Sequence, residues 1–290
     1  GGKIRYQGEG TVADLAGRLG GYEVAQGTGK VKIKDDTVAI ADASLRFNGQ
    51  PVSFTGTLNS SDTKLDFDVT SNGFDLSVIT GANFRGAMQL QAKVQGTLAT
   101  PQASGQFTVP RGEFGSFAFT AGSGNFAYTN GTLTLNNTRM TMWDGTLFIN
   151  GTVLPAGQRY NLTVTGSNID SALLSDKEIR GRADFIATVS GQRTTGMTAN
   201  GSFTMGEGSF YGIPFLSMKG DFSKDGERIN FSNIIVTTLA GSFYATGTTE
   251  GSIIKLKKTG DVTDHIGSVK ESIKENIRQS LSEQLRKMRP

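Results

Sequence analysis

The chain of 290 residues has no cysteine, one histidine and one tryptophan. Without thiols there is no disulfide frame, no thiolate nucleophile and no thiolate metal site. With His265 alone, no histidine pair can be assembled for acid–base catalysis or for a multi-histidine metal centre. No run of about 18 apolar residues occurs, so a membrane-spanning helix of the ordinary kind is not encoded. The 6 prolines beside 39 glycines exclude collagen-like and proline-rich linker sequence. Charge of one sign is also missing: 29 basic against 26 acidic residues leave +3, with no basic stripe interleaved with aromatics, so nucleic acid is not an expected partner. Gly27-Thr28-Gly29 lacks the strand, helix and lysine context of a phosphate loop, and the pairs Asp35-Asp36 and Asp66/Asp68 read as solvated surface. These absences argue against an enzyme, and no cofactor is expected.

What is present is a repeat. Gly29, Gly124 and Gly220 are 95 and 96 residues apart, and each is followed 27 positions later by another glycine, Gly56, Gly151 and Gly247. Gly86 matches Gly181, Gly96 matches Gly191, and Gly10, Gly105 and Gly201 open equivalent stretches. The repeats run over 10–104, 105–200 and, in part, 201–256. Recurrence at this length points to a modular object in which each unit buries its apolar face partly against its neighbour. The dipeptides Asn48-Gly49, Asn72-Gly73, Asn130-Gly131, Asn150-Gly151, Asn200-Gly201, Asp144-Gly145 and Asp225-Gly226 supply residues that tolerate positive φ, as tight hairpins require. Cut at such signals, one repeat gives about eight runs of roughly 7 to 12 residues, a spacing of consecutive antiparallel strands.

The runs are one-sided. Leu65, Phe67 and Val69 alternate with Lys64, Asp66 and Asp68, and Met88, Leu90 and Val94 alternate with Gln89, Gln91 and Lys93. The same period of two marks Val31 and Ile33, Leu45 and Phe47, Phe107 and Val109, Phe117 and Phe119, Phe126 and Tyr128, Leu162 and Val164, and Phe185 and Val189. A sheet with one apolar face must pack it on a second sheet, close it into a barrel, or curl it into a trough that holds something apolar. Helical sequence that would cover it is nearly absent before residue 258, apart from a weak turn near 170–179.

The stretch 94–109 (VQGTLATPQASGQFTV) and the following 112–153 resemble the TamB and AsmA-like proteins of the diderm bacterial envelope. The resemblance is carried by Gly96, Thr97, Leu98, Pro101, Gly105, Phe107, Val109, Leu133, Leu135, Asn136, Gly145, Gly151 and Thr152, and extends over 10–256 through the repeat. It implies an all-β fold: a long curved antiparallel sheet, or β-taco, whose open groove carries phospholipid acyl chains between inner and outer membranes. The groove would be lined by the alternating residues named above together with Leu133, Leu135 and Phe203. Implied partners are inner- and outer-membrane proteins, an outer-membrane barrel among them, and the implied location is the periplasm. Anchoring to the inner membrane is expected through a segment outside this chain. Two readings of another class stay open: an assembly factor for outer-membrane barrels working by strand addition, and a structural β-fibre or adhesin with a closed core.

The β-groove domain is expected over 1–257 and an amphipathic helical tail over 258–290. Ile266, Val269, Ile273, Ile277, Leu281 and Leu285 step by three or four and define one helical stripe. The opposite face carries mixed charge from Lys270 to Arg289. Such a helix could cap the last repeat, lie on an anionic membrane surface, or bind a partner.

Overall fold

A computed structural model describes residues 6–19, 22–75, 77, 84–114, 117–154, 159–174, 179–192, 196–226, 228–250 and 253–258. The helical stripe of the tail lies outside the described residues. The fold is all-β and antiparallel. In chain order the strands are β1 (Gln7–Leu19), β2 (Tyr22–Lys34), β3 (Thr37–Phe47), β4 (Gln50–Asn59), β5 (Lys64–Asp75), β6 (Phe84–Thr97), β7 (Pro101–Phe114), β8 (Phe117–Thr129) and β9 (Thr132–Met142). They continue as β10 (Gly145–Leu154), β11 (Arg159–Asp170), β12 (Ile179–Gln192), β13 (Gly196–Phe210), β14 (Ile213–Phe215), β15 (Ser217–Asp225), β16 (Arg228–Thr238), β17 (Gly241–Glu250) and β18 (Ile253–Lys258). A 3-10 turn, Ser171–Leu173, sits where the sequence suggests a weak turn, and the Asp170 carboxylate caps it by accepting from the Ala172 N–H at 3.0 Å.

The chain divides into two compact units, 1–169 with 186–199, and 170–185 with 200–290. In the first, β1 to β11 form an open antiparallel meander in which each strand pairs with the next. In the second, β13 and β14 form a hairpin and β15 to β18 pair in sequence.

The strands are fewer and longer than the turn signals suggest. Gly29, Gly124 and Gly220 lie in β2, β8 and β15, and β14 and β15 together take the place of one strand, so a repeat spans six strands rather than eight. The cause is that several Asn-Gly pairs do not reverse the chain. Asn48-Gly49 (φ 49° and 80°) and Asn130-Gly131 (φ 49° and 77°) do make the expected hairpin turns. Asn72-Gly73, Asn150-Gly151 and Asn200-Gly201 instead lie inside β5, β10 and β13. Between β9 and β10 the turn residues are Trp143 and Asp144 (φ 52° and 54°), and Gly145 already belongs to β10. An even number of strands per repeat has a geometric consequence. Antiparallel neighbours alternate in direction, so within the first unit β2 and β8, six strands apart, run the same way and present equivalent residues to the same face.

The repeated glycines mark bends. Asp42 in β3, Asn137 in β9 and Asn233 in β16 all have left-handed φ (52°, 51° and 51°), and each sits at a break in strand register. Their separations of 95 and 96 are those of the repeat. Asp and Asn tolerate this conformation best among non-glycine residues, and a bulge of this kind bends the strand and raises its twist. The residue after each bulge, Ala43, Thr138 or Ile234, is buried. It lies directly over a repeat glycine. A Cβ on Gly29 would sit 3.0 Å from Ala43 Cβ, one on Gly124 2.6 Å from Thr138 Oγ1, and one on Gly220 3.1 Å from Ile234 Cγ1. Only glycine lets the bent strand lie this close.

Packing repeats as well. The Phe107 ring approaches Gly124 in the first unit as the Phe203 ring approaches Gly220 in the second. Likewise Phe119 covers Gly112 where Phe215 covers Gly208. The core of the second unit is built from Ala183, Met205, Phe215, Met218, Ile234, Val236 and Ala245, with Phe203, Phe210, Phe231 and Phe243 against it.

Candidate functional site

Strand register turns the period of two into continuous rows. From β4 to β11, Gly56, Phe67, Val94, Ala103, Tyr128, Leu133, Val153 and Tyr160 oppose one another strand by strand. The adjacent row is Phe54, Val69, Ala92, Gly105, Phe126, Leu135, Gly151 and Leu162. Beyond it Leu90 opposes Phe107, and Phe107 opposes Gly124. Toward β1, Val31 opposes Ile40 and Ile33 opposes Val38, while Leu45 opposes Val52. Leu65 faces Leu58, Met88 faces Phe74, and Val164 faces Ile149. The register thus sets these residues of the first unit on one apolar face.

That face has two ends of different character. At the end carrying the β5–β6, β7–β8 and β9–β10 connections, Phe74, Met88, Val109, Phe119, Met140, Met142, Leu147 and Ile169 are buried. Phe119 is 2 % exposed and Ile169 0 %. At the opposite end Leu58, Leu65, Phe67, Val94, Tyr128, Leu133, Val153 and Tyr160 are all half-buried. Burial has one resolved effect on titration here: it pushes the Tyr160 phenol up from its ordinary value. Of the expected lining residues, Met88, Val109 and Phe119 belong to the buried end. Ile33 and Phe117 are exposed at 41 % and 42 %, Phe117 with its ring set edge-on to Trp143 at 5.2 Å. The remaining expected residues of the first unit, Val189 of β12 included, are half-buried, as are Phe185 and Phe203 in the second.

The period of two misses part of the face because the bulges shift it by one residue. In β9, Leu133 and Leu135 are followed, past the left-handed Asn137, by Met140 and Met142. In β8 the odd-numbered Phe117 and Phe119 share the face with the even-numbered Phe126 and Tyr128 because left-handed Ala121 (φ 51°) lies between them. In β11 Asn168 (φ 55°) has the same effect on Val164 and Ile169. An Asn or Asp at a fixed repeat position, followed by a change of parity, is the signal that would have found the shift in β9; Ala121 in β8 carries no such mark.

The other face is polar and laced across strands. Lys93 bridges Asp66 at 2.5 Å and Asp68 at 3.2 Å, and Lys30 pairs with Asp42 at 2.9 Å. The hydrogen bonds that Lys93 donates to Asp66 and then to Asp68 raise its ammonium above the ordinary range, and the bond donated by Lys30 lowers the Asp42 carboxyl. Gln106 Nε2 donates to Gln91 Oε1 at 2.8 Å. A shallow depression of about 550 Å³ on this face is lined by Gln91, Lys93, Ser104, Gln106 and Asn125. It is wide open, and Gln91, Gln106 and Lys93 in its lining already hold polar partners, so it is not a better candidate than the apolar face. Among the described residues no cluster of three or more His, Cys, Asp or Glu could hold a metal ion.

Comparison with protein-family models, with curated proteins and with solved structures finds no match for this chain.

Proposed function

We propose that the apolar face holds phospholipid acyl chains and serves as a segment of a lipid conduit in the cell envelope of a diderm bacterium. The observation that carries this reading is the pair of uninterrupted apolar rows from β4 to β11, half-buried along one end of every strand. In a sheet built to be dry, such rows would be covered; here each leaves apolar surface that an alkyl chain would remove from water at about 0.8 kcal/mol per methylene. Adjacent strands lie about 4.8 Å apart, so the seven steps from β4 to β11 extend the rows for roughly 34 Å, longer than one acyl chain. Lipid would therefore be held in series, with head groups at the edge of the face. The resemblance of 94–153 to TamB and AsmA-like sequence supports the same reading and its periplasmic setting. No side chain with a chemical task is needed: movement would follow a gradient or a partner at either membrane.

Native mass spectrometry of protein purified in mild detergent tests the proposal. Bound phospholipid is expected in the wild type and reduced in Leu90→Asp, which places a carboxylate in the half-buried part of the face. A lipid-free wild type whose melting temperature is unmoved by added phospholipid would overturn it.

A further inference from the structure

We propose that the outer edge of β1 is a docking site for one more antiparallel strand, of the sequence class represented in this chain by β6 and β12. The inference stands independently of the lipid reading. Its basis is a glycine with no use inside the described structure. Gly10 of β1 is the repeat equivalent of Gly105 in β7. In β7 the reason for glycine is plain: a Cβ there would collide with Gln91 O and lie 2.7 Å from Ala92 Cα, both on the backbone of neighbouring β6. The opposite neighbour, β8, contributes none of these contacts.

At Gly10 nothing lies within 4 Å of the same position, and its φ is not one that demands glycine. A strand interior otherwise disfavours glycine, which packs no side chain and costs about 0.5–1 kcal/mol in conformational entropy. The spacing to the next glycine repeats too. Gly17 follows Gly10 by seven residues, as Gly112 follows Gly105 and Gly208 follows Gly201. A Cβ on Gly112 would meet both the Phe119 ring of β8 and, at 2.5 Å, Arg85 O of β6, and one on Gly208 would meet Arg180 O and the Phe215 ring, yet at Gly17 nothing is near. β1 therefore has the surface that β7 uses to receive β6, and among the described residues its one partner is β2. Leu15, exposed at 53 %, lies on the same strand.

The equivalence also specifies the occupant. In β6 the residues opposite Gly105 and Gly112 are Ala92 and Gly86. β12 has the same pair, Ala187 and Gly181, at the same separation of six. A fitting strand carries glycine and alanine six apart within an alternating apolar–polar run. In another copy of this chain the strand β18, Ile253-Ile254-Lys255-Leu256-Lys257-Lys258, has neither glycine nor alanine, whereas β1 has Gly10 and Ala16 six apart and would compete for the same edge. The occupant is an extended segment with the glycine–alanine pattern of β6, recognised by main-chain bonds and by the two small-residue contacts. β1 bulges at the left-handed Asp14 (φ 53°), and β7 has its own irregularity against β6 between Thr108 and Gly112, so Gly10, on the near side of both, is the position to test.

The experiment uses the full chain and a fluorescent peptide copying 84–97. Saturable binding is expected by anisotropy, with slowed amide exchange confined to β1. Gly10→Val should weaken binding by about tenfold or more, some 1.4 kcal/mol, while leaving the melting temperature unchanged, because open space receives the new side chain. A peptide bearing Ala92→Phe should also bind more weakly. The proposal is overturned if the peptide does not bind, if a scrambled peptide binds as well, or if Gly10→Val binds as the wild type does. Self-association abolished by Gly10→Val would replace the committed occupant with a second copy.

Discussion

The two ends of the apolar face in the first unit are made of the same residue types and treated differently. Around Phe119, Val109, Met140 and Ile169 the sheet is bent by left-handed residues and small glycines let neighbouring side chains close in, so exposure falls to 2 % and below at Phe119, Val109 and Ile169. Around Phe67, Val94, Tyr128 and Leu133, three rows away, equally apolar side chains stay half-exposed. Composition cannot distinguish the ends. The bulges do, and the closed end can stabilise the fold while the open end is left for a ligand.

The largest expected effect separates the ends by charge. Phe119→Asp should unfold the protein or cost more than about 4 kcal/mol, because an unpaired carboxylate would be buried. Leu90→Asp should keep the native circular dichroism spectrum, since its carboxylate reaches water. If both mutants unfold alike, the contrast between the ends is wrong. Truncation sharpens it: Phe119→Ala is expected to cost about 3–5 kcal/mol in urea titrations, and Phe126→Ala about half of that.

A gain is expected at the boundary between the ends. Thr138 Oγ1 is buried without a hydrogen-bond partner, at the position occupied by Ala43 and Ile234 in the neighbouring repeats. Thr138→Val removes the hydroxyl and should raise stability by about 1 kcal/mol, measured by chemical denaturation. A loss would show that the hydroxyl has a use.

The smallest effect belongs to the polar face. Lys30 holds the Asp42 carboxyl below its ordinary range, so this pair adds stability above the usual carboxylate pKa and loses it as pH falls through the lowered value. Both groups are exposed, and salt screens them. Asp42→Asn should flatten the acid limb of the melting-temperature profile only slightly, and the difference should vanish in high salt.

Much of this architecture is legible in the chain. Repeat length, strand alternation and the residues of the rows all follow from glycine spacing and a period of two. The bends were hidden: Asn137 and Asp42 look like ordinary polar strand residues until their positive φ shifts the alternation and brings Met140, Met142 and Ala43 onto the apolar face. The same ambiguity made Asn150-Gly151 look like a turn. There Asn150 Oδ1 accepts the Asn137 N–H at 2.8 Å, serving the bulge of the neighbouring strand instead. Which end of a row is open depends on pairing between distant strands, and no local window contains that information.

The most direct measurement is photo-crosslinking of bound lipid from a genetically placed diazirine amino acid. A probe at Leu133, in the half-buried row, should capture phospholipid during growth, and a probe at Gln106, on the polar face, should not. Equal labelling at both positions, or none at Leu133, would contradict the account.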